Sequence, residues 1–107
     1  MIDEARVEAA VDYLRSSDKE AAQARANRGY LEQFLKSKKA MLMKASNAKT
    51  ASEREAEALA NPEYIEVLEG YRSSIETDEL YRFRRDAAKA TIDAWQTQSA
   101  NQRAVRL

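Results

Sequence analysis

The sequence contains no cysteine and no histidine, and each absence removes a class of function. Without cysteine there is no disulfide, no thiol nucleophile and no thiolate metal ligand. Without histidine the commonest general base at neutral pH is missing, and no ordinary catalytic triad can form. The chain also has no glycine-rich phosphate-binding loop. We therefore expect no enzymatic activity and no cofactor.

Long apolar runs are also missing, and residues 1–5 lack the basic and apolar pattern of a signal peptide. We expect a cytoplasmic protein with no membrane contact. Glutamates are frequent between residues 53 and 69, but no loop there would bring several oxygen ligands together as an EF-hand does. We therefore expect no metal site.

Helix-breaking residues are scarce, since the chain has one proline and two glycines among 107 residues. Charged residues make up 34% of the chain and apolar residues 44%, many of them alanine. This composition is typical of all-α proteins with coiled-coil character. The length corresponds to one domain, residues 1–107.

The segment from Asn61 to about Ala104 predicts one unusually long helix. Asn61 suits an N-cap position, and Pro62 suits the first helical position, where its missing N–H needs no partner. No other proline follows. At 1.5 Å per residue such a helix would be roughly 60 Å long, and a chain of this size cannot bury it in a globular core. It needs a long antiparallel helix, a second copy of the chain, or both.

Three shorter helices are predicted before it. The first covers Asp3 to Arg15, the second Asp18 to about Ala45, and the third about Thr50 to Ala60. Capping-box patterns begin at Ser17 and at Thr50, each with a glutamate three residues later. A continuous helix through the first junction is an alternative, because no glycine or proline enforces a break there.

The predicted fold is an all-α, long antiparallel helical hairpin, coiled-coil-like, with a short N-terminal helix. Folding the second helix back on the long helix places residue i near residue 108 − i. The lysines of residues 36–44 then face Glu63, Glu66 and Glu69, so opposite charges meet along the hairpin.

The apolar pattern of the long helix changes register part-way along. Its first half has an apolar stripe at heptad spacing, comprising Tyr64, Leu68, Tyr71 and Ile75. Its second half has a stripe turned by roughly 120°, comprising Leu80, Phe83, Ala87, Ala90 and Ala94. We expect the two halves to contact different neighbours. The chain is therefore predicted to form a dimer or higher oligomer, with Leu80, Phe83 and Trp95 near the interface.

A basic stripe also lies on the second half of the long helix, where residues 82–107 carry six Lys/Arg against two Asp/Glu. Guanidinium groups spaced along a helix suit a phosphate backbone, so nucleic-acid binding is one hypothesis. The alternative is a solvated face, or ion pairs with an acidic segment of another copy. The candidate nucleic-acid-binding residues are Arg25, Arg28, Arg82, Arg85, Lys89 and Arg103.

Four segments, residues 28–36, 61–70, 78–83 and 92–98, resemble small helical proteins encoded by tailed phages and prophages. The resemblance implies a location in the cytoplasm of a bacterial host cell and a gene context near recombination or single-strand-binding functions, and it supplies no catalytic residues. We therefore expect a non-enzymatic accessory protein that self-associates through long helices and binds nucleic acid or the recombination or replication machinery. The alternative is an adaptor that binds another phage or host protein, or an inhibitor of a host enzyme or defence system.

Overall fold

The computed structural model describes residues 1–106, and nearly all of them are helical. The chain forms α1 (Glu4–Ser16), α2 (Asp18–Ala45), α3 (Ala51–Ala60) and α4 (Pro62–Arg106). No strand occurs within residues 1–106. The predicted all-α class is confirmed, and the predicted long helix ends two residues later than expected.

The starts of α3 and α4 follow the capping chemistry that their sequences predict. The Thr50 hydroxyl accepts a hydrogen bond from the Glu53 backbone N–H at 3.1 Å. The Asn61 side-chain oxygen accepts one from the Glu63 N–H at 2.8 Å, and Pro62 occupies the first helical position. Each side chain satisfies a backbone donor that the helix itself leaves without a partner.

The predicted capping box at Ser17 is wrong. The Ser17 hydroxyl donates to the carbonyl oxygen of Tyr13 at 2.6 Å, and the Ser17 backbone N–H bonds the same oxygen at 3.0 Å. The dihedral angles of Ser17, φ −99° and ψ −1°, are close to helical. An N-cap residue normally has an extended backbone, which Ser17 does not have. Only this one residue separates α1 from α2.

The sequence predicts one domain, and the contacts between residues form two compact units. The terminal unit comprises residues 1–22 and 79–106, and the central unit comprises residues 23–78. Helices α2 and α4 contribute residues to both units, whereas α1 belongs to the terminal unit and α3 to the central unit.

The central unit contains most of α2, all of α3 and the first part of α4. Arg28 of α2 pairs with Asp78 of α4 at 3.1 Å, and Lys38 of α2 pairs with Glu63 of α4 at 3.5 Å. The later residue of α2 pairs with the earlier residue of α4, so the two helices run in opposite directions at these pairs. The sequence predicted the approach of the α2 lysines to Glu63. Ala58 of α3 is 1% exposed and is the most buried residue of the unit.

An ion pair also joins α3 to α2. The Lys39 ammonium lies 2.9 Å from the Glu55 carboxylate. The hydrogen bond to Glu55 raises the pKa of Lys39 above its usual value, and the charge of the same carboxylate adds to the effect. The pair is largely exposed, so it fixes the position of α3 more than it stabilises the unit.

The terminal unit contains α1 and the C-terminal half of α4. Ile2 and Gln98 exchange two hydrogen bonds between the Ile2 backbone and the Gln98 amide, at 3.3 and 3.2 Å. The other end of α1 is held by the Arg85 side chain. Ala10 and Ser17 are the buried residues of this unit.

The half-buried side of α4 keeps one spacing, alternating steps of three and four residues as in coiled coils. Its half-buried residues at this spacing are Tyr64, Val67, Tyr71, Ser74, Asp78, Tyr81, Arg85, Ala88, Ile92, Trp95 and Ser99. The two halves of α4, which meet near residue 78, contact different neighbours as expected, since the first half pairs with α2 and the second half contacts α1. The apolar pattern rotates there, but the covered side does not, because polar residues such as Asp78 and Arg85 continue it.

The core of the protein is small. No large side chain within residues 1–106 is fully buried, and the buried apolar residues are the alanines Ala10, Ala24 and Ala58. Small side chains allow helices to approach closely but remove little apolar surface from water. Burial within one chain therefore stabilises this fold only modestly.

Both glycines lie inside helices, Gly29 in α2 and Gly70 in α4. An added Cβ atom would meet nothing within 4 Å at either position, and neither residue has a positive φ. Neither packing nor backbone conformation requires glycine at these two positions.

Candidate interaction face on the long helix

Five residues of α4 form an exposed apolar face in the terminal unit. They lie at alternating steps of three and four residues, so they line one side of the helix. Phe83 is 62% exposed and Leu80 is 45% exposed. We call this set the apolar face; its members are Leu80, Phe83, Ala87, Ala90 and Ala94, all of them exposed.

The apolar face points away from α1. At about 100° per residue, its mean direction is roughly 160° from that of the half-buried residues Tyr81, Arg85 and Ile92. Arg85 contacts α1 directly, so α1 covers the other side of α4. Covering one side of the helix therefore leaves the apolar face free.

Trp95 does not join the apolar face. It is half-buried and continues the spacing of Arg85, Ala88 and Ile92 on the covered side of α4. Of the three residues predicted at an interface, the structure brings Leu80 and Phe83 together on one exposed face, and it places Trp95 on another side of the helix.

An open groove continues the apolar face towards the C-terminal end of α4. It is open to solvent and has a volume of about 730 Å³. Four of its seven lining residues have short or apolar side chains. Its lining residues are Ala94, Thr97, Gln98, Asn101, Gln102, Val105 and Arg106. Thr97 and Asn101 extend the three-and-four spacing beyond Ala94, so the surface available to a partner is longer than the apolar face alone.

Arg85, a candidate for nucleic-acid binding, is used inside the terminal unit. Its guanidinium donates to the Leu14 carbonyl oxygen at 2.9 Å and to the Ser17 hydroxyl at 2.8 Å. The Leu14 carbonyl belongs to the last turn of α1, where helix carbonyls lack intrahelical donors and the helix dipole favours a cation. Arg85 therefore caps the C-terminal end of α1 from α4.

The remaining basic residues of the terminal unit are exposed. Arg82 pairs with Glu79 at 3.3 Å and lies 5.5 Å from the centre of the Phe83 ring. Lys89 and Arg103 are exposed on α4. The guanidinium of Arg82 therefore borders the apolar face and contacts its largest side chain.

The two candidates from α2 belong to the central unit. Arg25 is exposed, whereas Arg28 is half-buried and paired with Asp78. A guanidinium paired with a carboxylate attracts a phosphate less strongly, because the nearby negative charge offsets its own charge.

Charge in the terminal unit is balanced between its two segments. Residues 79–107 carry six Lys/Arg and three Asp/Glu, whereas residues 1–22 carry three Lys/Arg and six Asp/Glu. Because residues 1–22 belong to the same compact unit as this half of α4, their acidic excess opposes the basic excess of α4. A field that attracts nucleic acid is correspondingly weaker than the sequence of α4 alone indicates.

Sequence reasoning missed two features of these surfaces. The first is the inward position of Arg85. Tyr64 and Tyr71 are seven residues apart, and continuing the same interval through the polar residue Asp78 leads to Arg85, whereas following the apolar residues leads to Leu80 and Phe83. In the central unit, Tyr30 and Phe34 stack with ring centres 6.0 Å apart, although Tyr30 is 66% exposed. Their separation of four residues on a helix could have predicted that contact.

Other kinds of site find no counterpart in the part of the chain that the structure describes. No three carboxylates there approach one another closely enough to hold a metal ion. No helix within residues 1–106 has the length and apolar character needed to cross a membrane.

No protein-family model, curated protein or solved structure matches this chain. Its function must therefore be argued from its own geometry.

Proposed function

We propose that this protein is a non-enzymatic accessory protein that self-associates through the apolar face of α4. The observation that carries the proposal is the exposure of Leu80 and Phe83 on the side of α4 opposite α1. A continuous exposed apolar stripe on a small protein is typical of a protein-interaction site.

The small core supports the same proposal. Fully burying a leucine or phenylalanine side chain is worth about 1.5–3 kcal/mol, and this chain buries no large side chain fully within residues 1–106. Covering Leu80 and Phe83 with another helix would supply burial that the single chain lacks. The paired contacts of α2 and α4 in the central unit also support an antiparallel helical hairpin as the framework that carries α4.

The test is the mass of the protein in solution, measured by sedimentation and light scattering at micromolar concentrations. Wild type should be at least dimeric. Replacing Leu80 and Phe83 together by Gln keeps helix propensity but removes the anchors, and should weaken association by about 30-fold or more, equivalent to about 2 kcal/mol. Tyr30→Gln is the matched control, since Tyr30 is equally exposed but lies in the central unit, and it should leave the mass unchanged. A monomeric wild type at tens of micromolar would reject the proposal.

Nucleic-acid binding stays a prediction from the sequence. Arg82, Lys89 and Arg103 are exposed, but Arg85 is engaged with α1, and the acidic excess of residues 1–22 offsets the basic charge of this half of α4. An accessory role in a phage or prophage, implied by the sequence resemblance, likewise stays a prediction. So does the alternative of an adaptor or inhibitor that binds a host protein.

A further inference from the structure

We infer that a second copy of the chain covers the apolar face in the antiparallel direction, so that Phe83 of each copy packs against Ala94 of the other. The inference rests on the proposed self-association and adds its direction and register. Two independent properties of the face support it, the order of its side-chain sizes and the order of charges along its edge.

Side-chain size changes along the apolar face. The large residues Leu80 and Phe83 lie at one end, and the alanines 87, 90 and 94 lie at the other. Antiparallel pairing places Phe83 against Ala94 and Leu80 against Thr97, with Ala87 and Ala90 facing each other in the middle. The four outer layers then each combine one large and one small side chain and the two central layers pair alanines, so layer volume varies less than when two large residues face each other.

Parallel pairing in register would not give this match. Phe83 would face Phe83 of the second copy and hold the two helices apart at one end. The alanine layers at the other end would then be too short to meet, leaving a gap between the helices. Gaps of this kind lose contacts without replacing them.

The charges along one edge of the apolar face alternate in sign. Glu79, Arg82, Asp86, Lys89 and Asp93 follow one another at steps of three or four residues. With Phe83 opposite Ala94, the twofold axis passes between residues 88 and 89. Asp86 then lies near Lys89 of the second copy, and Arg82 lies near Asp93 of the second copy.

Parallel pairing in register places this edge against the other edge of the second copy's face, as the e and g positions of parallel coiled coils do. That other edge carries Arg84, Thr91 and Gln98, so Arg82 and Lys89 would have no acidic partner across the interface. Exposed ion pairs contribute little to affinity, but a difference in their number discriminates between alternative arrangements. Both size and charge therefore select the antiparallel arrangement.

A twofold arrangement also closes the assembly. The same face is used once by each copy, so a dimer leaves no apolar face of this kind free to recruit a third chain. The expected species is a dimer, and no longer filament should form as concentration rises.

Distances between spin labels distinguish the directions, and the absence of native cysteine makes single-site labelling simple. Gln96→Cys and Gln102→Cys place labels at exposed positions of α4 outside the apolar face. In the antiparallel dimer, the axial separation of equivalent residues grows by 3 Å for each residue away from the axis. It should be about 20 Å at residue 96 and about 40 Å at residue 102. In a parallel dimer in register, both separations should be short and nearly equal.

The outcomes separate this inference from the proposal on which it rests. A dimeric mass with a long distance at residue 102 and a shorter one at residue 96 supports the antiparallel arrangement. A dimeric mass with equal short distances overturns the direction while leaving self-association in place. A monomeric mass with no dipolar coupling at either site overturns both. Helical circular dichroism of each labelled protein confirms that the labels have not unfolded it.

Discussion

The two units of this protein hold their helices together in different ways. The central unit has three helical segments, joined by ion pairs such as Arg28–Asp78 and Lys39–Glu55, and a short helix whose Ala58 is 1% exposed. The terminal unit joins α1 to α4 by hydrogen bonds at the two ends of α1, from Gln98 and from Arg85. Besides α4 it contains only α1 and the first residues of α2, and the apolar face of α4 stays exposed.

The largest effect on stability should come from a larger side chain at Ala58, the most buried residue of the central unit. Ala58→Leu adds three carbon atoms where α3 meets its neighbours, and should lower the free energy of unfolding by about 1–3 kcal/mol. Denaturant unfolding measures the loss, and hydrogen exchange should show it in α3 first. Ala56→Leu is the matched control on the exposed side of the same helix, and should change stability by less than about 0.5 kcal/mol. An unchanged stability for Ala58→Leu would show that α3 can shift to make room.

A smaller loss of stability is expected when the hydrogen bonds from Arg85 to the end of α1 are removed. Arg85→Met keeps chain length and helix propensity but deprives the Leu14 carbonyl and the Ser17 hydroxyl of their donor. Hydrogen bonds from a charged donor are worth about 1.5–3 kcal/mol when buried, and this contact is partly exposed, so we expect a loss of about 1–2 kcal/mol. Faster exchange of the α1 amides should accompany the loss.

Arg84→Met provides the control for that experiment, because Arg84 is exposed one position away on the same helix. It should leave stability nearly unchanged. If both variants lower the free energy of unfolding by the same amount, Arg85 acts only through the overall charge of α4. Its hydrogen bonds to α1 would then not be what holds the terminal unit together.

The smallest effect concerns a buried hydroxyl of α1. The Tyr13 hydroxyl oxygen is buried and has no hydrogen-bond partner among the described residues. Tyr13→Phe removes a polar atom that the fold does not satisfy, so stability should be unchanged or rise by up to about 1 kcal/mol. Tyr30→Phe, at an exposed position, should have no effect. A clear loss for Tyr13→Phe alone would reveal a hydrogen bond formed in solution, and would add a further polar contact to those of the terminal unit.

Local chemistry predicted the secondary structure well. Thr50 and Asn61 cap α3 and α4 as predicted, since a capping side-chain oxygen needs only a backbone N–H two or three residues away. The same logic failed at Ser17, whose hydroxyl has the Tyr13 carbonyl on one side and the Arg85 guanidinium on the other. The second partner lies 68 residues away, and no local pattern contains it.

The candidate site was predicted in part, for a related reason. Leu80 and Phe83 stand out by apolar spacing alone, and the structure finds both of them exposed. Which side of α4 is covered depends on the heptad that begins at Tyr64, and this heptad continues through Asp78 and Arg85. Asp78 and Arg85 are charged but lie on the covered side. A prediction of the covered side from apolar residues alone therefore chooses the wrong side of the helix after residue 78.

The two helical glycines have a consequence for motion within the central unit. A glycine inside a helix costs about 0.5–1 kcal/mol relative to alanine, because its backbone has more freedom to lose. Gly29 and Gly70 have open space around them and ordinary helical angles, so nothing in the fold compensates for that cost. Transient breaks in the hydrogen bonding of α2 and α4 should therefore start at these two turns, and the central unit bends there before it unfolds.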